Sequence, residues 1–168
     1  TMSMLGASHF FWNIKHNVIH HTYTNVDDLD DDIEVGKLMR LAPSQDRLPL
    51  HKYQHIYFPA LYMFMYLYWV FAADYKKYFN QKIGEFPITN MKRQDHIRFW
   101  LVKLWHALFF CVLPIYIFGF WPWLLGFMIM SLTAGFCLSI VFQLAHTVED
   151  ASFPLANNDT NKFEDEFA

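Results

Sequence analysis

Charged side chains are scarce in this chain, and their absence is concentrated in one region. Asp, Glu, Lys and Arg make up 17% of the 168 residues, against about 25% in typical soluble domains. No charged residue occurs between Lys103 and Glu149, a run of roughly 45 residues, whereas one membrane-spanning helix needs about 20. This length favours two spanning helices with a turn at residues 119–122. The alternative is a pair of fully buried helices in a soluble core.

Cysteine and concentrated basic charge are also missing. The two cysteines, Cys111 and Cys137, lie in apolar sequence without C-x-x-C spacing, so neither a disulfide framework nor a thiolate metal site is indicated. The net charge of −3 and the dispersed basic residues argue against a nucleic-acid partner.

A second apolar segment, residues 56–73, is about 18 residues long and therefore just long enough to span a bilayer. It is rich in tyrosine, which prefers the bilayer interface. We predict that the following residues, 74–103, form a polar and basic loop. That loop carries seven basic residues against three acidic ones, and this excess favours the cytoplasmic side of a membrane.

Chain topology restricts how residues 56–73 can meet the membrane. A hairpin over residues 104–142 returns His146 to the side of the basic loop. If residues 56–73 crossed the bilayer, the histidines at positions 16–21 would lie on the side opposite His146. If the two groups share one site, residues 56–73 must be interfacial or re-entrant.

Three histidines stand in the spacing H-x-x-x-H-H at His16, His20 and His21, ahead of a dense acidic run at residues 27–34. Residues 1–26 are predicted to form a helix. On an α-helix His16 and His20 are about 40° apart around the axis and can bind one ion. His21 lies about 100° further round, so the spacing suits two ions better than one.

Imidazole ligands without thiolate suit iron, zinc, copper or nickel rather than magnesium or calcium. The alternative interpretation of the three histidines is a polar helix face at an interface. The remaining histidines give weaker signals. We expect His51 and His55 to anchor their segment, and His9, His96 and His106 to be interface or core residues.

The sequence H-N-V-I-H-H-T-Y-T-N at residues 16–25 resembles the second histidine box of the membrane fatty acid desaturases, particularly the acyl-lipid and linoleoyl-CoA type. Trp12, Lys15 and the acidic run extend the match. The sequence Q-L-A-H-T-V-E at residues 143–149 resembles the segment that follows the last membrane helix in that family. The resemblance covers essentially the whole chain.

The resemblance implies an all-α integral membrane protein that forms part of a single desaturase domain. Its parts would be a cytoplasmic histidine-box region at 1–55, an interfacial or re-entrant helix at 56–73, a transmembrane hairpin at 104–142 and a cytoplasmic segment at 143–168. It also implies a centre of two iron ions, with His16, His20, His21 and His146 among the ligands.

The implied activity is oxygen-dependent desaturation of a fatty acyl chain carried on a lipid or on coenzyme A. The implied partners are membrane lipid, molecular oxygen and an electron donor of the cytochrome b or ferredoxin type, with no nucleic acid. Lysines and arginines such as Lys76, Lys77, Lys92 and Arg93 are candidates for docking an acidic donor.

The family's first box, H-D-x-x-H, and its third, Q-x-x-H-H, are not in this sequence. We therefore expect an internal fragment that is inactive on its own. Two alternatives remain open. One is a di-iron lipid or alkane hydroxylase, or a carotenoid oxygenase. The other is a non-enzymatic membrane protein that binds zinc or haem through these histidines.

Overall fold

The computed structural model describes residues 2–26, 33, 36–84, 86–146, 155–157 and 162–164, with side chains as far as residue 141. Except for Ile33, the acidic run at 27–34 lies outside these residues. The α-helices are α1 (His9–Asn13), α2 (Gln54–Met63), α3 (Met65–Tyr68), α4 (Asp74–Asn80), α5 (Arg93–His106), α6 (Leu113–Phe118) and α7 (Phe120–His146).

Shorter elements connect and extend these helices. Single 3-10 turns are formed by Met2–Leu5, Gly36–Leu38 and Pro49–Tyr53, and π-helical segments by Ile14–His20, Trp69–Ala73 and Ala107–Val112. Two antiparallel hairpins pair β1 (Lys82–Ile83) with β2 (Phe86–Pro87) and β3 (Leu155–Asn157) with β4 (Lys162–Glu164). The described chain is thus mainly helical, as expected.

Two continuous helices, Arg93–Phe118 and Phe120–Val141, are long and apolar enough to cross a membrane. They form the expected hairpin, and Gly119 makes the turn with a φ of 81° that favours glycine. Only 11% and 17% of their most apolar windows are buried. Two helices of a soluble core would be covered on all sides, so the fully buried alternative is wrong for the described chain.

A tryptophan joins the two arms of this hairpin. Pro114, at the start of α6, has no N–H group to donate to the carbonyl of Phe110, four residues earlier. The indole N–H of Trp123, on α7, donates to that carbonyl at 2.7 Å. The donor that proline lacks is therefore supplied by the other arm.

The tyrosine-rich segment is longer than predicted and is bent. Helical structure runs from Pro49 to Asn80, and its halves, Pro49–Met63 and Met65–Asn80, meet at an angle of 55°. The bend is at Phe64, whose N–H donates to the carbonyl of Leu61 at 3.1 Å in a tightened turn. Such a geometry suits a broken span or a re-entrant loop.

Helix α7 packs closely against this bend through small residues. A Cβ atom added to Gly135 would fall on the backbone carbonyl of Met63, so only glycine fits at this contact. One turn further on, the Ser139 hydroxyl donates to the Tyr62 carbonyl at 3.3 Å. Small residues allow two helix backbones to approach in this way.

Residues 74–103 are not the polar loop that the charge pattern suggested. They form α4, the β1–β2 hairpin and most of α5. Asp74 and Lys103, at the two ends of the segment, are buried and paired with each other. This pair removes one charge of each sign, so the basic excess of the segment is unchanged.

The N-terminal helix is shorter than the predicted span of residues 1–26. It begins at His9 with Ser8 as N-cap, and a separate 3-10 turn precedes it. Gly6 separates the 3-10 turn from the helix and has a φ of 84°. A Cβ atom added to Gly6 would lie 2.5 Å from a ring carbon of His106. Hydrophobic periodicity does not indicate this break, because the break depends on the contact with His106, one hundred residues further along the chain.

A hydrophobic cluster holds the side of this N-terminal helix. Its buried members are Phe11 and Ile19 from the helix, Ile83 from the β1–β2 hairpin and Phe99 from α5. The rings of Phe11 and Phe99 meet edge to face at 5.7 Å between centroids. The cluster thus fixes the helix laterally against α5 and the hairpin.

We predict that Gly135→Ala lowers the free energy of unfolding in detergent by roughly 1–3 kcal/mol, because the added methyl group pushes α7 away from the bend. Gly126→Ala is the matched control on the same helix, since nothing lies within 4 Å of its added Cβ. The control should be neutral, or more stable by up to about 1 kcal/mol through helix propensity. Thermal unfolding followed by circular dichroism measures both, and equal effects would contradict the close approach at Gly135.

Candidate metal centre

The three histidines of the box lie on a π-helical turn. The N–H of His21 donates to the carbonyl of His16 at 3.2 Å, five residues earlier, instead of the four of an α-helix. The hydroxyl of Thr24 donates to the carbonyl of His20 at 2.7 Å, where the helix leaves carbonyls unpaired. Segments of π-helix occur frequently at functional sites.

This turn brings all three imidazole rings together. His16 and His20 are stacked, with centroids 5.4 Å apart and planes 12° apart. His21 lies 4.8 Å from His16 and 5.7 Å from His20 by centroid. On an α-helix His21 would lie about 100° further round the axis than His20. The π-helical turn instead brings the ring of His21 close to that of His16.

The three rings differ in their surroundings. His20 is buried with 1% of its surface exposed, His16 is half-buried and His21 is exposed. Trp12, one turn earlier, stacks on His16 with centroids 4.8 Å apart and planes 22° apart. The cluster therefore has one packed side and one open side.

The donor chemistry of this cluster fits a histidine-ligated metal, but its geometry provides only part of a shell. Within the residues that the structure describes, no group of three or more His, Cys, Asp or Glu side chains is arranged to hold an ion. His146 is the last residue of α7, and its side chain lies outside the described part.

A buried ion pair lies beside the start of the helix that carries the three histidines. The Lys103 ammonium group donates to Oδ2 of Asp74 at 2.8 Å, and both side chains are at least 95% buried. Its other two hydrogen bonds go to the carbonyls of Gly6 at 2.8 Å and Val70 at 2.9 Å. The backbone N–H of Ser8, the N-cap of α1, also donates to Oδ2 of Asp74, at 2.8 Å.

The charge pattern alone did not indicate this pair, because Asp74 and Lys103 are the first and last charges of the predicted polar and basic loop. Each of the two residues adjoins an apolar run, and a charge inside a membrane helix needs a partner. This position is the feature of the sequence that could have indicated the pair. The other carboxylate oxygen of Asp74 is buried and accepts no hydrogen bond from the described residues.

A second polar contact ties the first residues to the membrane hairpin. The hydroxyl of Tyr66 is 3.0 Å from the carbonyl of Leu5 and 3.0 Å from Nε2 of His106. His106 is buried and stacks on Phe110 at 4.9 Å. It is a core histidine, as predicted, and it faces the glycine break at Gly6.

The remaining described histidines lie outside the cluster of three. His51 accepts from the N–H of Leu48 at Nδ1, at 3.2 Å, and its Nε2 is 3.1 Å from the carbonyl of Lys37. Both ring nitrogens are thus engaged, which fits the predicted anchoring role. Nδ1 of His96 is 3.1 Å from the hydroxyl of Tyr78, and His9 and His55 are exposed.

Comparison with known proteins gives the family of this chain. The family model for fatty acid desaturases matches residues 1–166. The chain belongs to the fatty acid desaturase family. Both the turn at residues 16–21 and the two candidate membrane-spanning helices lie within the matched residues. No solved structure matches the chain.

Individual relatives are acyl-lipid desaturases by name. The chain is 36% identical over 158 residues to an acyl-lipid (8-3)-desaturase of Physcomitrium patens, covering 92% of this chain and 33% of the relative. It is 31% identical over 170 residues to an sn-1 linoleoyl-lipid 6-desaturase of Arthrospira platensis, covering 100% of this chain and 45% of the relative. The desaturase chain therefore spans between a third and a half of the length of these relatives.

We predict that Tyr66→Phe destabilises the protein by roughly 1–3 kcal/mol, because the buried His106 ring and the Leu5 carbonyl lose their shared partner. Tyr116→Phe, at a side chain that is 87% exposed, is the control and should stay within about 0.5 kcal/mol of wild type. Thermal unfolding in detergent compares the two variants. If both variants unfold at the wild-type temperature, Tyr66 does not tie the N-terminal turn to the hairpin.

Proposed function

We propose that this chain carries part of the di-iron centre of a membrane fatty acyl desaturase, which introduces a double bond into the acyl chain of a lipid. The observation that carries the proposal is the cluster of three imidazole rings on the π-helical turn, in a chain of the desaturase family. The names of the relatives support an acyl chain on a lipid as the substrate. An acyl-CoA substrate is the alternative.

In this proposal His16, His20, His21 and His146 are iron ligands, and the other ligands lie on residues outside these 168. This chain alone is then inactive. Bound iron would supply the activation of molecular oxygen, which amino-acid side chains cannot provide. The acyl chain would give up two hydrogen atoms, which amount to two protons and two electrons. A donor protein would give two further electrons, the surrounding water would give two protons, and molecular oxygen would be reduced to two molecules of water.

The residues of the chain would hold the imidazole rings in place for this chemistry. Stacking of Trp12 on His16 restricts the rotation of that ring, and the burial of His20 fixes it against the protein. Ile19, between the box histidines, is anchored in the cluster with Phe11 and Phe99. A metal site requires this support, because a loosely held ligand set binds weakly.

We also propose that the box and His146 face the cytoplasmic side and that the bent helix pair is re-entrant. The basic excess of residues 74–103 supports this side, and the bend of 55° supports a segment that turns back. The exposed side chains of Lys76, Lys92 and Arg93 suit the docking of an acidic cytochrome b or a ferredoxin.

We predict that alanine at His16, His20 or His21 in the full-length protein lowers its affinity for iron about tenfold or more, since each removes a ligand. His55→Ala is the matched control, because His51 and His55 have the same i, i+4 spacing and His55 is exposed. Iron bound per purified protein, measured by mass spectrometry of the metal, separates the two sets. Wild-type iron content in all three box variants would refute the ligand assignment.

Product analysis separates desaturation from hydroxylation. With a lipid-bound polyunsaturated acyl chain, oxygen and an electron donor, we expect the full-length protein to form an additional double bond and no hydroxylated lipid. Gas chromatography with mass spectrometry identifies both products. Hydroxylated lipid without a new double bond would instead establish the hydroxylase, and zinc or haem without oxygen consumption would establish a non-enzymatic metal protein.

A further inference from the structure

We propose that the buried carboxylate of Asp74 positions the histidine-box helix, because it accepts the backbone N–H of Ser8 at the start of that helix. Lys103 holds the carboxylate in place and balances its charge. This inference rests on the proposed function, since it concerns how the box is presented to iron. Asp74, Lys103 and Ser8 are positioning residues in this proposal and do not touch the metal.

The two charges of the ion pair are buried in apolar helices. Asp74 and Lys103 lie in helices that suit membrane insertion, and their side chains are 1% and 5% exposed. Ionisable residues in such segments are costly and usually serve a function. Replacement of a buried pair by apolar residues is often neutral or stabilising, so fold stability alone does not account for this pair.

The ion pair also makes hydrogen bonds to backbone groups of the N-terminal segment. All three donors of the Lys103 ammonium group are used, on Asp74, Gly6 and Val70. Oδ2 of Asp74 accepts from both Lys103 and Ser8. The N-terminal segment is therefore attached to the membrane helices through Gly6 and Ser8, the two residues that flank Ala7.

The attachment at Ser8 is transmitted along the helix to the box histidines. Ser8 is the N-cap of α1, and helical structure continues from it to His20. His16 lies eight residues further on, about 12 Å along the axis. The aromatic contact between Phe11 and Phe99 holds the helix from the side. If the bond at Ser8 is lost, the helix can tilt or slide about this contact and displace His16 and His20.

Two double variants of the full-length protein isolate the Ser8 bond from the ion pair. Asp74→Asn with Lys103→Met removes both charges but keeps an amide oxygen that can accept the Ser8 N–H. Asp74→Leu with Lys103→Met removes both charges and the acceptor. Asn and Leu are similar in size, and of the two only Asn offers an acceptor to the Ser8 N–H. Titration with Co²⁺ gives the metal affinity, and its visible absorption reports the ligand geometry.

We expect the Asn variant to bind Co²⁺ with an affinity and spectrum close to wild type. We expect the Leu variant to bind about tenfold more weakly, as when a supporting hydrogen bond of a metal site is removed, and with a changed spectrum. Equal affinities and spectra for the two double variants would overturn the proposal.

A second pair of variants tests the same bond without touching the charges, and serves if the Leu variant does not fold. Ser8 has φ −74°, which proline adopts without strain. Ser8→Pro removes the N–H donor, whereas Ser8→Ala removes only the hydroxyl. The proline variant should lose Co²⁺ affinity relative to the alanine variant, and equal affinities would overturn the proposal.

These outcomes distinguish the inference from the proposed function. If the wild-type protein binds neither iron nor Co²⁺, the proposed function fails and the inference fails with it. If the wild type binds the metal and both matched pairs behave alike, only the positioning role of Asp74 fails.

Discussion

The burial of Asp74 and Lys103 in an apolar surrounding is the constraint that organises the structure around the three histidines, because buried polar groups must be satisfied by hydrogen bonds. Either charge alone would be buried without a counter-ion, and removal of one partner of such a pair costs about 3–5 kcal/mol. Lys103 also donates to the carbonyls of Gly6 and Val70, and Asp74 also accepts from the N–H of Ser8. The pair therefore joins the bent helix, the hairpin and the N-terminal turn at one point.

The three π-helical segments lie close to the Asp74–Lys103 pair or carry the box histidines. Ile14–His20 carries the box, Trp69–Ala73 contains the Val70 carbonyl that accepts from Lys103, and Ala107–Val112 follows His106 directly. A π-turn changes which residues share a helix face and which carbonyls are available. Each of these three segments contains or directly adjoins a histidine or a carbonyl group that makes one of the contacts described above.

The sequence predicted the elements whose signal is local and failed where a long-range contact decides. The charge-free run and residues 119–122 were sufficient to predict the hairpin, and the spacing of His16, His20 and His21 was sufficient to locate the candidate site. The ring arrangement was not predictable, because one extra residue in a helical turn leaves no trace in hydrophobic periodicity. The break at Gly6 and the burial of Lys103 depend on residues far away in the sequence.

The ring geometry restricts how the rest of a metal site can be built. In the proposed site, imidazoles on one helical turn would approach an ion from one side only, and His16 and His20 are stacked in nearly parallel planes. Ligands for the other side must come from a different segment of the protein. The end of α7 at His146 is one such segment within this chain, and the close packing of Gly135 against the bend fixes the path that α7 takes towards it. The box helix and α7 are each held by contacts with the bent helix pair, so the bend sets the position of both.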